Sequence, residues 1–228
     1  MFGPRIDALL DRLYAQNAAQ NDALTAYFTE RASEPSFDWN AFDERTNTFL
    51  RDKLIALDRV KAEFCYQVCR ALGARRIVEA GTSFGVSTMF LAAAVRDNLR
   101  QSGEGDNAGV VIATEYEPAK AQIARTHFDE AGLTHLIELR EGDLRHTLTN
   151  VGGAVDFMLI DIWTPMAQPA LSMVAPRLRE GAVVICDNTT QFRDAYGDYF
   201  NFVHDPRNGL RTMTLPFEGG LEFTVRAH

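Results

Sequence analysis

RRIVEAGTSFGVSTMFLAAAV, residues 75–95, decides the fold. Ile77 and Val78 begin a short apolar run that reads as a buried strand, and Gly81 closes it. From Ser83 onward the pattern is that of a helix. A strand, a glycine turn and a helix in immediate succession form the first unit of a doubly wound α/β sheet, whose ligands bind beyond the carboxyl ends of the strands. Gly81 and Gly85 allow the backbone to turn tightly and to approach a ligand closely. The free N–H groups at the start of the helix favour an anionic group there, and Ser87 can add a hydroxyl.

The same alternation continues downstream. GVVIATEYE (109–117), LIELREGD (136–143), VDFMLID (155–161) and GAVVICDN (181–188) read as strands. PAKAQIARTHFDEAG (118–132) reads as a helix with Pro118 in its first turn and Gly132 past its end. PMAQPALSMVAPRL (165–178) reads as a helix bent or restarted at Pro169, and FRDAYGDYFNFV (192–203) as another. This alternation predicts a mostly parallel sheet with helices on both faces. LRTMTL (210–215) and LEFTVR (221–226), joined by PFEGG, alternate in polarity and predict an antiparallel hairpin at the sheet edge.

Upstream, the first 72 residues read as helical. Ile6, Leu9, Leu10, Leu13 and Tyr14 make an amphipathic stripe. EPSFDW (34–39) breaks the pattern, and helices are expected over 41–56 and 58–72, the latter ending at Gly73. The stripe must be covered by the domain, by the active site or by a second subunit.

The bulk properties restrict the function. The 228 residues suit one large domain or one domain with an appendage. A net charge of −8, from 23 basic and 31 acidic residues, argues against a nucleic-acid or anionic-membrane binder. No apolar run approaches the ~20 residues of a membrane span, and Asp7 and Asp11 interrupt the first apolar stretch, so no signal peptide is expected. Cys65, Cys69 and Cys186 read as small core residues, and a cytoplasmic protein is expected. The five histidines show no metal-ligand spacing.

Acidic residues at the strand ends narrow the ligand. Glu79 ends the first strand, where a carboxylate repels a pyrophosphate but pairs with an ammonium; the plainer reading is that it caps the loop. The spacing G-x-x-x-G, with Thr82, Ser83 and Phe84 between the glycines, is not the G-x-G-x-x-G of nicotinamide binders. Glu115 ends the second strand, placed to accept from ribose hydroxyls, and Asp143 the third, near an adenine amino group. Each alone is more often a helix cap. In this order beside a glycine turn they describe an adenosine carrying an amino-acid tail, S-adenosylmethionine.

Asp161 and Asp187 close the next two strands, and Asn188 follows. If those strands are neighbours, ~4.8 Å apart, two carboxylates and an amide oxygen form a hard donor set of the kind Mg²⁺ accepts. An Asx turn at Asp187 and Asn188 is the alternative.

VEAGTSFGVS (78–87), ATEYEPAKAQIA (113–124), EGDLRHTL (141–148), DFMLIDIW (156–163) and GAVVICDN together resemble the cation-dependent class I O-methyltransferases, the group of catechol and caffeoyl-CoA O-methyltransferases. The likeness runs over about residues 50–226. It implies a Rossmann-like seven-stranded methyltransferase domain over 57–228 and a helical extension or lid over 1–56. It implies donor contacts from Glu79, Gly81, Thr82, Ser83, Gly85, Ser87, Glu115, Asp143, Asp161 and Trp163, although core packing explains Trp163 equally well. Asp161, Asp187 and Asn188 map onto the catalytic metal ligands. A small vicinal-oxygen acceptor chelated to Mg²⁺ and a homodimer follow from the likeness; a metal-independent methyltransferase or a non-catalytic donor-binding protein are the alternatives. Where catechol O-methyltransferases carry a lysine base three positions after the first metal aspartate, this chain has Thr164. Lys53 and Lys61 cannot be placed from sequence. Phe192, Tyr196 and Phe200 either wall the acceptor pocket or pack in the core.

Overall fold

The sheet begins where the glycine turn predicts. In the computed structural model, which describes residues 1–35, 38 and 43–227, β1 spans Arg76–Ala80 and is followed by α5, Val86–Ser102. The other strands are β2 (Val110–Glu115), β3 (Ile137–Glu141), β4 (Val155–Ile160), β5 (Leu178–Asp187), β6 (Leu210–Leu215) and β7 (Leu221–Arg226). Their order is β3-β2-β1-β4-β5-β7-β6. The first five run parallel; β7 pairs antiparallel with β5, and β6 with β7. This is the seven-stranded, doubly wound sheet of the class I methyltransferase fold. The strand order reverses between β1 and β4, and that switch point is where a crevice opens.

Apolar side chains cover both faces. On one face Ile77, Val111, Phe157 and Ile185 pack with Met89, Phe90 and Phe128 from α5 and α6 (Pro118–Ala131). On the other, Val78, Met158 and Val184 pack with Leu171 from α8 (Thr164–Val174) and Tyr199 from α9 (Gly197–His204). A short helix, α7 (Leu144–Thr147), follows β3. Pro169 lies inside α8, which continues through it. Among the described residues, no helix is long and apolar enough to cross a membrane.

The N-terminal stripe is covered by the domain itself. Ile6, Leu9, Leu10 and Leu13 of α1 (Pro4–Ala19) are buried in the same cluster as Phe90 and Phe128. Arg12 adds a two-pronged pairing to Glu130 of α6, at 2.9 and 2.7 Å. The next helices are α2 (Asn21–Ala32), α3 (Glu44–Leu50) and α4 (Arg59–Leu72), the last closed by Gly73 in the left-handed conformation. The pattern break at 34–39 and the start of the helix expected over 41–56 fall partly outside the described residues. The end of that expected helix is corrected, because α3 stops at Leu50, a turn follows at 51–52, and the chain has no regular secondary structure from there to Asp58. Side chains of α1 and the residue after it hold this irregular backbone. Gln20 Oε1 accepts the Leu54 N–H while its Nε2 donates to the Leu54 carbonyl, Asn17 Oδ1 accepts from Ala56 N, and Tyr14 donates to the Leu57 carbonyl. Those bonds satisfy backbone groups a helix would have paired internally.

Candidate functional site

A cavity of ≈ 920 Å³ opens at the β1/β4 switch point, within the size range of cofactor and substrate pockets. Gly81, Ser83 and Ser87 form its floor, Glu115 and Asp143 one side, and Asp161, Trp163 and Asn188 the other. Leu24 and Phe28 of α2 and Leu50 of α3 roof it. Of the residues expected from the sequence, Gly81, Thr82, Ser83, Ser87, Glu115, Asp143, Asp161, Trp163 and Asn188 share this space, whereas Glu79, Gly85 and Asp187 do not line it.

The turn after β1 is tightly fitted. Gly81 has φ +100°, and a Cβ there would stand 2.0 Å from the Asp161 carbonyl oxygen. Gly85 has φ +87°, and a Cβ would meet the Phe128 ring at 2.4 Å. Both positions require glycine for conformation and for space. No side chain caps the first turn of α5, whose leading N–H groups therefore point to the cavity without intrahelical partners. Ser83, at φ 48°, carries a buried hydroxyl with no hydrogen-bond partner among the described residues. An orphaned hydroxyl beside an uncapped helix start suits the carboxylate of an amino-acid tail.

Glu79 stands one layer behind this wall. Its Oε1 accepts from Ser87 at 2.7 Å, and its Oε2 from Thr82 at 3.1 Å and from Thr88. It is fully buried and does not line the cavity. Burial pushes its carboxyl up to about 7, against the lowering effect of the three hydroxyls. Because the folded value exceeds the ordinary 4.5, the folded chain holds the extra proton and loses stability as pH rises from about 4.5 to about 7. Glu79→Gln, which resembles the protonated acid, is expected to remove that slope and to gain ~3 kcal/mol on the wild type between pH 4.5 and 8. Urea melts of the two proteins without donor check it; parallel pH profiles would refute it.

Glu115 accepts the Ser83 N–H at 2.7 Å and the Glu117 N–H at 2.9 Å, so backbone groups orient its carboxylate at the cavity edge. Asp143 caps α7 by accepting from Arg145 N at 2.9 Å, and the Arg145 guanidinium holds its carboxyl down at about 2. Trp163 precedes α8 and lines the cavity, as does Thr164 at the first position of that helix. Of the late aromatic stripe, Phe192 and Tyr196 line the cavity. Phe200 lies under Arg193 and stacks on His204 instead.

The β4–β5 register pairs Ile160 with Cys186. Asp161 and Asp187 therefore leave adjacent strands side by side. Burial drives the Asp161 carboxyl well above the usual carboxylate range; the neighbouring Asp187 adds to this and the Lys61 ammonium opposes it. Asp187 is also raised, by burial first, against the Lys61 hydrogen bond. That bond is the feature the sequence did not place. Lys61 Nζ donates to Asp187 Oδ1 at 2.6 Å, with the two side chains 3% and 5% exposed. Burial is the largest single influence and works against the Lys61 charge, but the hydrogen bonds and charges of Asp187 and Asp58 together outweigh it and hold the ammonium above its ordinary value. Asn188 takes φ 59°, and its Oδ1 lies 2.7 Å from where a Gly219 Cβ would be.

These positions test the donor set expected for Mg²⁺. Asp187 is already committed to a cation, and the Asn188 carbonyl packs on the Gly219 turn. Asp161 and Asn188 line the cavity, but Asp187, paired with Lys61, does not, so the three oxygens are not all open to one divalent ion.

A methyltransferase domain model matches residues 78–189, from inside β1 to just past Asn188. The catechol O-methyltransferase of Mycobacterium tuberculosis is 32% identical over 135 residues, 59% of this chain and 57% of its own. That of Niastella koreensis is 31% identical over 126 residues, 54% and 51% respectively. Over this stretch the chain is similar to O-methyltransferases. It spans a little over half the length of those two curated relatives. The fold also matches that of a Bacillus cereus O-methyltransferase solved in complex with SAH, at a TM-score of 0.66 and 20% identity, over 96% of this chain and 90% of the other.

Two buried lysines were not placed by the sequence reading. Lys61 shares a buried stripe with Cys65 and Cys69 at intervals of four, and a lysine in register with a buried stripe was the available signal. Lys120 is buried on α6 beside Glu115 and lines the cavity. Burial lowers its ammonium, against the pull of Glu115 and Glu117.

Proposed function

We propose that this chain moves a methyl group from S-adenosylmethionine to a hydroxyl of a small aromatic, catechol-like acceptor. The observation that carries the reading is one continuous cavity joining the Gly81–Ser87 turn and Glu115 to Asp161 under an apolar roof. The names of the relatives support the acceptor class.

When bound, S-adenosylmethionine supplies a methyl made electrophilic by the sulfonium that carries it. The uncapped start of α5 and the Ser83 hydroxyl bind the tail carboxylate, and Glu115 accepts from the ribose hydroxyls. Asp143 and Trp163 border the base. Leu24, Phe28, Leu50 and Phe192 hold the acceptor ring and exclude water, which favours a step in which charge is lost. Holding the reactants in line supplies much of the acceleration. Asp161, on the wall where the acceptor hydroxyl stands, takes its proton. No step is assigned to a divalent ion, because Asp187 is held by Lys61.

Asp161→Asn is expected to bind S-adenosylhomocysteine with wild-type affinity in calorimetry while kcat falls about 10²- to 10⁴-fold. Wild-type turnover in that variant would remove Asp161 as base. Failure of the wild type to bind either S-adenosylmethionine or S-adenosylhomocysteine would overturn the reading altogether.

A further inference from the structure

The geometry points to Lys61 as the resident cation of the Asp161–Asp187 pair: the position where this kind of site would carry a divalent ion is filled by the chain's own ammonium. This rests on the methyl-transfer reading for its purpose, though not for its geometry.

Four observations carry it. The ammonium lies 2.6 Å from Asp187 Oδ1 with its side chain 3% exposed, so a divalent ion on Asp187 would have to displace it or share the carboxylate with a like charge. Lys61 belongs to the buried stripe of α4 with Ala62, Cys65 and Cys69, so the fold itself holds the lysine at this position. Its second partner, Asp58 at 3.4 Å, is the residue just before the same helix and meets the head from the solvent side. The Asn188 carbonyl that would complete a donor set rests against the Gly219 turn.

Charge supports the same arrangement. Asp161 and Asp187 bring two negative charges and Lys61 one positive charge. One negative charge is left to face the sulfonium. A divalent ion added to this set would make it net positive beside a cation. Lys61 is thus a positioning residue, which fixes Asp187 and leaves Asp161 to the acceptor. Chelation by two vicinal oxygens is then unnecessary, and a single phenolic hydroxyl suffices.

Mn²⁺ titration followed by electron paramagnetic resonance tests this on the full chain, without turnover. Wild type is expected to leave the added Mn²⁺ free, and Lys61→Met to bind one ion at least about tenfold more tightly. Lys61→Arg, which keeps the charge, is expected to leave Mn²⁺ free as the wild type does. Methyl transfer by the wild type is expected to be unchanged by EDTA. A wild type that binds one Mn²⁺, with the binding lost in Asp187→Asn, would overturn the assignment, and so would a folded Lys61→Met that gains none. If Lys61→Met does not fold, the wild-type titration alone decides. Calorimetry with S-adenosylhomocysteine runs in parallel, so failure to bind donor would count against the methyl-transfer reading and not against the ammonium.

Discussion

Asp187→Ala is expected to destabilise the fold by about 3–5 kcal/mol, the cost of leaving a buried charge without its partner. The carboxylate faces Lys61 at 2.6 Å, and neither side chain has water to fall back on. The loss comes from the stranded ammonium more than from the missing bond, because burying an unpaired charge is far costlier than burying none. Lys61→Met in the same chain should therefore recover much of it, and the double variant should be more stable than Asp187→Ala alone. A double-mutant cycle from chemical denaturation at pH 7 reads this coupling. Independent, additive losses would mean that the two groups do not share an ion pair. The backbone at this position is held separately, by the Tyr196 hydroxyl donating to the Asp187 carbonyl at 2.9 Å, so the strand end is expected to persist when the side chain goes.

The second large effect is at Gly81. Gly81→Ala puts a methyl 2.0 Å from the Asp161 carbonyl oxygen and 2.5 Å from Ile162 Cγ2, at φ +100°. Neither neighbour can yield cheaply, because the Asp161 N–H is bonded to the Ala80 carbonyl at 2.9 Å and pins the β4 exit to β1. Strained backbone and overpacking together are expected to cost more than ~3 kcal/mol. The displaced β4 exit carries Asp161 with it. Donor binding and turnover should both be lost in whatever fraction still folds, whereas Gly103→Ala, at φ +72° with nothing within 4 Å, should cost only a modest backbone penalty. Thermal melts and calorimetry with S-adenosylhomocysteine compare the two. A Gly81→Ala protein with wild-type affinity would show that the turn does not form the donor floor.

Much of this architecture was legible because its signals are local. Each β-strand of the parallel sheet shows as an apolar run closed by a glycine or an acid, and the helices between show as caps and periodicity. The hairpin alternates in polarity. The α1 stripe was readable, but its destination was not, since a stripe of leucines says only that something must cover it. The irregular stretch after Leu50 could not be read, because side-chain amides from Asn17 and Gln20 override the helical pattern across more than thirty residues of sequence.

By itself the sequence determined that β1 ends in a glycine turn and that acids stand at successive strand ends; these depend on neighbours along the chain and on the order of strands. Only the tertiary structure decided what each acid faces. Glu79 meets three hydroxyls, and Asp187 meets a lysine 126 positions away. An acid's chemistry depends on the charge beside it in space, and a lysine on a helix can reach a strand end only once packing has brought the two together.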